Sequence, residues 1–376
     1  MTPETAASER RRKTHNSIYH HIYRASGICT KQSLARDLGL SLPTIYQHLA
    51  ELVEDGLVAY SGAQRSTGGR RAAGLSAVDG ARFAVGASIT EDRIRFVAAD
   101  LRLHELASRS IQHELSERFT GYGDFLREEL DAFLDANGLD RAKLLGVGIT
   151  LPGIISADNS RIVYAPTLQL QNIALGELTA SLPYPFSIEN DAACGGYAEW
   201  FMRSEQKNMA YLSLENGVGG AVLLEGRAYG GDNRRSGEFG HMCVEPGGLK
   251  CSCGRLGCLE AYCSARRISD NLGITPDEFF AALAQGNREY EALWHDLLRH
   301  LAAGVNSIRM ILDCEVVLGG LLAEYLEPWL PQLREYVRAG SPFGDDASFL
   351  HLSVLRRHTV PLGGALLFIQ DFLAQI

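Results

Sequence analysis

No stretch of the sequence approaches the ~20 consecutive apolar residues that a membrane-spanning helix needs, so a spanning protein of that type is not expected. The opening MTPETAASERRRKTHN has no apolar core, and a secretory leader is not expected either. These absences point to a cytoplasmic chain. Eight cysteines in such a chain argue against a disulfide framework. Basic charge is also in short supply, with 36 Lys and Arg against 45 Asp and Glu and a net charge of −9. That deficit is uneven: residues 1–75 hold ten basic against six acidic side chains, about +4, so the remainder stands near −13. Only the N-terminal part is suited to a polyanion. What the sequence does have is apolar mass, 46% of 376 residues, enough for two to three domains with substantial cores.

Three short helical patterns are predicted between about residues 14 and 56. Ile18 and Ile22 lie one turn apart in the first. Leu34 and Leu38 share a face of the second, and Gly39 can end it. In the third, Ser41 is a plausible N-cap before an i, i+4, i+7 stripe of Ile45, Leu49 and Leu52. The opposite face is read as Thr44, Gln47 and His48, with Tyr46 to one side, all able to reach base edges or phosphates. Gly56–Tyr60 reads as a strand, and a Gly/Ser-rich turn over Ser61–Gly69 leads to Arg70 and Arg71. This is the order of a winged helix-turn-helix. Arg10–Lys13 could serve as a phosphate-contacting arm or be a solvated charge run. A three-helix protein-docking domain is the alternative for the whole module.

From Ala81 the pattern changes to strands alternating with helices, an α/β body of two lobes. Predicted strands include Phe83–Ala87, Ile94–Ala99, Leu144–Thr150, Ser187–Asp191, Met209–Leu214, Ala221–Glu225 and Val316–Gly320. Helices are predicted over Phe125–Leu134 and through most of Ala261–Leu312, and Pro361–Ile376 reads as a core helix. The chemistry concentrates in Glu238-Phe-Gly-His241 and Cys251-Ser-Cys253-Gly-Arg-Leu-Gly-Cys258-Leu-Glu260. Thiolates with one imidazole suit a closed tetrahedral Zn²⁺ site, so His241, Cys251, Cys253 and Cys258 are assigned as structural zinc ligands. Cys29, Cys194, Cys243, Cys263 and Cys314 are assigned as small buried fillers. Glu238 and Glu260 are then left over for a hydroxyl-rich ligand, or are ordinary solvated carboxylates.

The cluster, together with Glu189-Asn-Asp-Ala192, Leu151-Pro-Gly153 and Gly319-Gly320, resembles the ROK family (repressor, open reading frame, kinase) over residues 81–376. The front module, ending Gly68-Gly-Arg-Arg71, resembles the DNA-binding part of that family's sugar-responsive repressors. The resemblance implies a winged helix-turn-helix over residues 1–78 and an actin-like ROK sugar-kinase fold over 79–376. One lobe would cover about 79–190 plus the helix 361–376, the other about 191–360. It also implies sugar contacts at Gly153, Asn190, Asp191, Glu238, His241 and Glu260, with His241 offering one ring nitrogen to zinc and the other to the sugar. A strand-end cap is the other reading of Asn190 and Asp191.

Active kinases of the family carry Asp-x-Gly-Gly-Thr on the first strand turn. The matching positions here are Ser88, Thr90, Glu91 and Asp92, so two carboxylates stand where phosphates would sit. The second phosphate loop reads Glu215-Asn-Gly217-Val-Gly219, again with a carboxylate in place of glycine. Asp191 matches the family's catalytic base, but no catalytic residue is expected. The expected protein is a zinc-containing repressor of carbohydrate metabolism that binds operator DNA as a homodimer or homotetramer and answers to a sugar or sugar-derivative effector. An ATP-dependent sugar kinase with a DNA-binding extension, or a repressor sensing a partner protein, are the competing readings.

Overall fold

The computed structural model describes residues 3–25, 27–63, 73–113, 121–156, 158–203, 205, 207–344, 346–355 and 358–376. The chain opens with helices α1 (Pro3–Arg24), α2 (Lys31–Leu38) and α3 (Leu42–Glu54) and an antiparallel hairpin of β1 (Val58–Ala63) and β2 (Ala73–Ala77). Helix α2 starts at a capping box in which Thr30 and Ser33 satisfy each other's backbone N–H groups, and stops at Gly39 with φ +65°. Ser41 caps α3 by accepting from the Thr44 N–H. Helix α1 begins well before residue 14, so Arg10–Lys13 lie within it and form no separate arm. There Arg11 pairs with Glu51 of α3, and Lys13 with Glu9. The strand predicted to end at Tyr60 continues to Ala63, because Ser61 and Ala63 pair with Gly74 and Ala73. Arg70 and Arg71 lie outside the described residues.

The body has two five-stranded sheets built on one plan. In the first lobe β3 (Phe83–Ile89), β4 (Arg93–Asp100) and β5 (Glu105–Gln112) form an antiparallel meander, followed by α4 (Tyr122–Ala136) and β6 (Leu144–Leu151). A small sheet of β7 (Ile154–Ile155), β8 (Arg161–Ala165) and β9 (Leu170–Ala174) and the short α5 (Gly176–Thr179) lead to β10 (Phe186–Asn190) and α6 (Asp191–Met202). The sheet order is β10-β6-β3-β4-β5, with β6 and β10 added in parallel.

The second lobe repeats this plan. Its meander is β11 (Met209–Leu214), β12 (Val218–Leu224) and β13 (Arg227–Ala228). After α7 (Leu259–Cys263), α8 (Pro276–Ala284) and α9 (Arg288–Leu312) comes β14 (Glu315–Gly319). Then follow α10 (Ala323–Leu326), α11 (Leu330–Gly340), β15 (Leu350–Leu352) and α12 (Thr359–Gln375). The order is β13-β12-β11-β14-β15, with β14 and β15 parallel to β11. Strands β3 and β11 are buried along their whole length, as expected for central strands covered on both faces.

Helix α12 leaves the second lobe and packs on β3, β6 and α6 of the first. Its approach is close because the sheet offers glycine there: a Cβ on Gly148 would lie 2.0 Å from the Gly364 carbonyl oxygen. Gly148→Ala is therefore expected to force α12 off the sheet and cost about 1–3 kcal/mol or more, read as a lower midpoint in a thermal melt. The other side of α12 reaches the front module. Leu362, Leu366, Ile369 and Leu373 share one apolar core with Ile18, Tyr19 and Ile22 of α1 and Ala198 of α6. Polar contacts add to this seam: Tyr23 Oη donates to the Leu101 carbonyl (2.7 Å), and Arg102 donates to the Tyr23 carbonyl (2.6 Å) while pairing with Asp79.

Candidate functional site

His241 ends a 3₁₀ turn, Phe239–His241, that packs against the start of β12; Cys251, Cys253 and Cys258 follow on a tight loop. Backbone bridges Cys243–Cys258 and Lys250–Leu256 close that loop. Gly257, at φ +78°, must be glycine, since a Cβ would stand 1.9 Å from the Glu245 carbonyl oxygen. The four donor atoms lie within 4.8 Å of one another. Cys253 and Cys258 sulfurs are 3.8 Å apart, as are Cys251 Sγ and His241 Nδ1. A tetrahedral Zn²⁺ with Zn–S near 2.3 Å has S···S edges of about 3.8 Å, so the donor set fits that ion. Cys258 and Cys251 are buried, which suits a closed structural site. Four of the five remaining cysteines are buried fillers, but Cys243 is exposed. Its neighbours Met242 and Val244 turn into the core, and that alternation turns Cys243 outward.

The cysteine loop is tied to the start of β12 through Glu260, on α7. One carboxylate oxygen accepts the Val218 N–H (3.0 Å), and the other accepts the Ser252 hydroxyl (2.6 Å). The carboxylate thus clamps the β11–β12 turn to the loop that carries the thiols. His241 points its second nitrogen, Nε2, toward Glu238 at 3.9 Å. Nδ1 thus lies on the sulfur side of the ring and Nε2 on the carboxylate side.

Asp191 opens α6, and its Oδ1 accepts the Ala192 N–H (2.7 Å). Burial pushes its carboxyl up to about 6, and the charge of Glu238 adds to the rise. The Glu238 carboxyl is also raised, chiefly by burial, while His241 opposes the rise. Asn190 is the N-cap of α6: Oδ1 accepts from the Ala193 N–H (2.8 Å), and Nδ2 donates to the Gly153 carbonyl (2.9 Å). The cap reading therefore describes Asn190, although each amide atom keeps one further bonding position for a ligand. Gly153, at φ +109°, has a packing reason of its own. A Cβ there would stand 2.5 Å from the Tyr164 carbonyl oxygen, so β8, rather than a ligand, occupies that side.

On the front module, Tyr46 and Gln47 are exposed on α3 and Thr44 is half-exposed. His48 is not on that face. It is 4% exposed, because position 48 follows Ile45 by three residues and precedes Leu52 by four, the spacing of the core stripe. In its place the structure adds Lys31, whose ammonium lies 4.2 Å from the Tyr46 ring centroid and 5.1 Å from that of Tyr60. Lys31 opens α2 and is far from Tyr46 in sequence, so only the helix-turn-helix packing brings it beside the exposed face of α3.

The ROK family profile matches residues 85–351, and a winged helix-turn-helix DNA-binding profile matches residues 11–59. The chain belongs to the ROK family. It is similar to the xylose repressor of Bacillus subtilis (strain 168), at 29% identity over 246 residues, 65% of this chain and 64% of that protein. The match thus spans slightly under two thirds of the Bacillus protein. The xylose repressor of Caldicellulosiruptor bescii is 25% identical over 376 residues, 92% of this chain and 93% of its own. Among solved structures, a ROK family transcriptional regulator homologous to the E. coli MLC protein superimposes with a TM-score of 0.76 at 23% identity, covering 97% of both chains. A ROK family glucokinase from Streptomyces griseus, in complex with glucose and AMPPNP, gives 0.64 at 21% identity over 76% of this chain and 98% of that one. These structural likenesses establish the ROK kinase-like fold.

In this ROK body the β3–β4 and β11–β12 turns carry engaged side chains. The β3–β4 turn is closed by Thr90 N–H donating to the Arg93 carbonyl, and Asp92 pairs with Arg93 at 2.7 Å. Glu91 reaches to Arg266, just beyond α7, at 3.0 Å. That pair links the two lobes at the β3–β4 turn. In the β11–β12 turn, burial raises the Glu215 carboxyl while Arg95 opposes the rise. Ser252 and Arg266 are the contacts the sequence reading missed. Ser252 had a signal, its place between Cys251 and Cys253; Arg266 had none. Among the described residues no helix is long and apolar enough to cross a membrane.

Proposed function

We propose that this ROK protein is a transcriptional repressor of carbohydrate metabolism whose operator affinity is set by a sugar bound beside a zinc-pinned loop. Asp191, Glu238, His241 and Glu260 would hold the sugar hydroxyls, with Asn190 and Gly153 shaping the wall. His241, Cys251, Cys253 and Cys258 would hold the zinc. When bound, the ion fixes the loop and leaves His241 Nε2 as an oriented hydrogen-bonding group. The relatives named as xylose repressors make xylose the first sugar to test.

The observation that carries the proposal is an unbroken path of packing. Asp191 is the first residue of α6; α6 lies on α12; and α12 shares its apolar core with α1 of the DNA-binding module. A sugar that draws Asp191 toward Glu238 and Glu260 shifts α6, and rigid packing passes that shift to α1. In a homodimer or homotetramer this changes the separation of paired winged helices on an inverted repeat. The carboxylates of Glu91, Asp92 and Glu215 and the Glu91–Arg266 link disfavour a nucleotide phosphate, so sugar occupancy is reported to DNA instead of being spent on phosphoryl transfer.

The test uses the full-length protein on a duplex it selects from a random library. A panel of pentoses, hexoses and N-acetylated hexosamines is titrated into the complex. One sugar is expected to change operator affinity by about 5- to 150-fold, and no sugar is expected to support ADP release from ATP. Indifference to the whole panel removes the proposal, and ADP release at ordinary kinase rates replaces it with the kinase reading. Gln47→Ala is expected to weaken operator binding by about 1–3 kcal/mol while leaving the thermal melt of the body unchanged, since Gln47 is exposed on α3.

A further inference from the structure

His48, removed from the DNA-reading face by its burial, lies in a second cluster of metal-ligating side chains. Its Nδ1 is 3.1 Å from Nδ1 of His15, on α1. Glu51, one turn further along α3, brings Oε2 to 3.6 Å from His15 Nδ1 and 3.9 Å from His48 Nδ1. Two imidazole nitrogens and one carboxylate oxygen therefore converge on one point. Metal–nitrogen and metal–oxygen bonds of about 2.0–2.2 Å give tetrahedral donor–donor edges of roughly 3.3–3.5 Å. The three observed separations bracket that edge.

The surroundings favour a cation over a simple imidazole pair. The other Glu51 oxygen, Oε1, is paired with Arg11, which orients the carboxylate with Oε2 facing the rings. The group opens onto a surface pocket lined also by Arg12, Glu54 and Ile376. That opening supplies an entry path and room for a water as fourth ligand.

We infer that His15, His48 and Glu51 form a second binding site for a divalent first-row transition-metal ion, clamping the DNA-reading helix α3 to α1. This site is separate from the His241 and cysteine centre in position and in chemistry. It has no sulfur, so its ion exchanges more readily and its occupancy follows the supply of metal. Because His15 lies on the helix that packs against α12, an ion here stiffens the reader at the joint through which the body would act on it.

The two sites give different spectra with Co²⁺ as the probe. Metal-free full-length protein is expected to take up about two equivalents. One shows thiolate-to-cobalt charge transfer, and the other shows only ligand-field bands of a nitrogen and oxygen site. His15→Gln and Glu51→Gln each remove one ligand from a partly exposed position. Both are expected to lose the second equivalent, keep the charge-transfer band and keep a cooperative melt. Added Zn²⁺ is then expected to raise the melting temperature of the wild-type module but not that of His15→Gln. Uptake of about one equivalent by the wild type, or a second equivalent that survives in both variants, overturns the inference. Either result leaves the sugar-responsive reading standing, since that reading uses neither His15 nor Glu51.

Discussion

Cys258→Ser is expected to abolish the thiolate-to-cobalt absorption of the full-length protein and to eliminate its response to sugar. Cys258 is fully buried, lies 3.8 Å from Cys253 and is the residue immediately before α7. Serine is no match for thiolate at a tetrahedral zinc, and loss of one of four ligands in a closed site leaves the rest without a template. The consequences run through α7. Its Glu260 holds the Val218 N–H and the Ser252 hydroxyl, so release of the loop frees the β11–β12 turn as well. Structural zinc contributes about 10–16 kcal/mol of apparent binding energy in peptides that fold only on metal. This chain has large apolar cores elsewhere, so the body is expected to melt cooperatively at a lower temperature instead of failing to fold. Metal content, the cobalt spectrum and the melt together check it. Unchanged spectra in Cys251→Ser, Cys253→Ser and Cys258→Ser alike would show that these thiols hold no ion.

Asp191→Asn is expected to separate function from stability. The substitution keeps the side-chain oxygen that accepts the Ala192 N–H but removes the charge. Hydrogen bonds from ligand hydroxyls to a carboxylate contribute roughly 1.5–3 kcal/mol each, so sugar affinity should fall about 10- to 100-fold. Stability should move the other way. Burial holds the Asp191 carboxyl at about 6 in the folded chain, against an ordinary value of 3.8. Between those values the folded state binds more protons than the unfolded one. The wild type therefore loses stability as pH rises from about 4 to 6, and the penalty is fully present above 6. The shift corresponds to about 3 kcal/mol at most. The residue keeps partial exposure, so about half of that is the realistic figure. Asp191→Asn should thus melt higher than the wild type at pH 7.5, with the difference vanishing near pH 4. Effector response of the wild type should weaken below pH 6, where the carboxyl becomes protonated. A variant that responds normally to sugar, or a melt no higher at pH 7.5, counts against the charge placed on Asp191.

How far the sequence could be read depended on the range of the interactions involved. Leu34, Leu38, Ile45 and Leu52 recur at helical spacing, and Gly39 and Ser41 are read from single-turn chemistry, so α2 and α3 were legible from neighbours alone. The Cys/His cluster was legible for the same reason: all four donor side chains lie between His241 and Cys258, close enough in sequence for the structure to gather them within 4.8 Å. Misreadings came where a residue's partner is remote. His48 is polar and was placed with Gln47, yet its position on the stripe buries it against His15 of another helix.

What the sequence by itself determined, then, is the set of parts: a winged-helix module, an α/β body, a loop with one imidazole and three thiols, and carboxylates in the β3–β4 and β11–β12 turns. Each follows from covalent neighbours and short-range periodicity. Only the tertiary structure decided how the parts are joined. It placed α12 between α6 and α1, linked Glu91 to Arg266 across the lobes, and met His15 with His48 and Glu51. Those contacts span tens to hundreds of residues, and no local propensity encodes them; they exist because apolar faces far apart in the chain are buried against one another, and the polar side chains at the edges of those faces must then find partners.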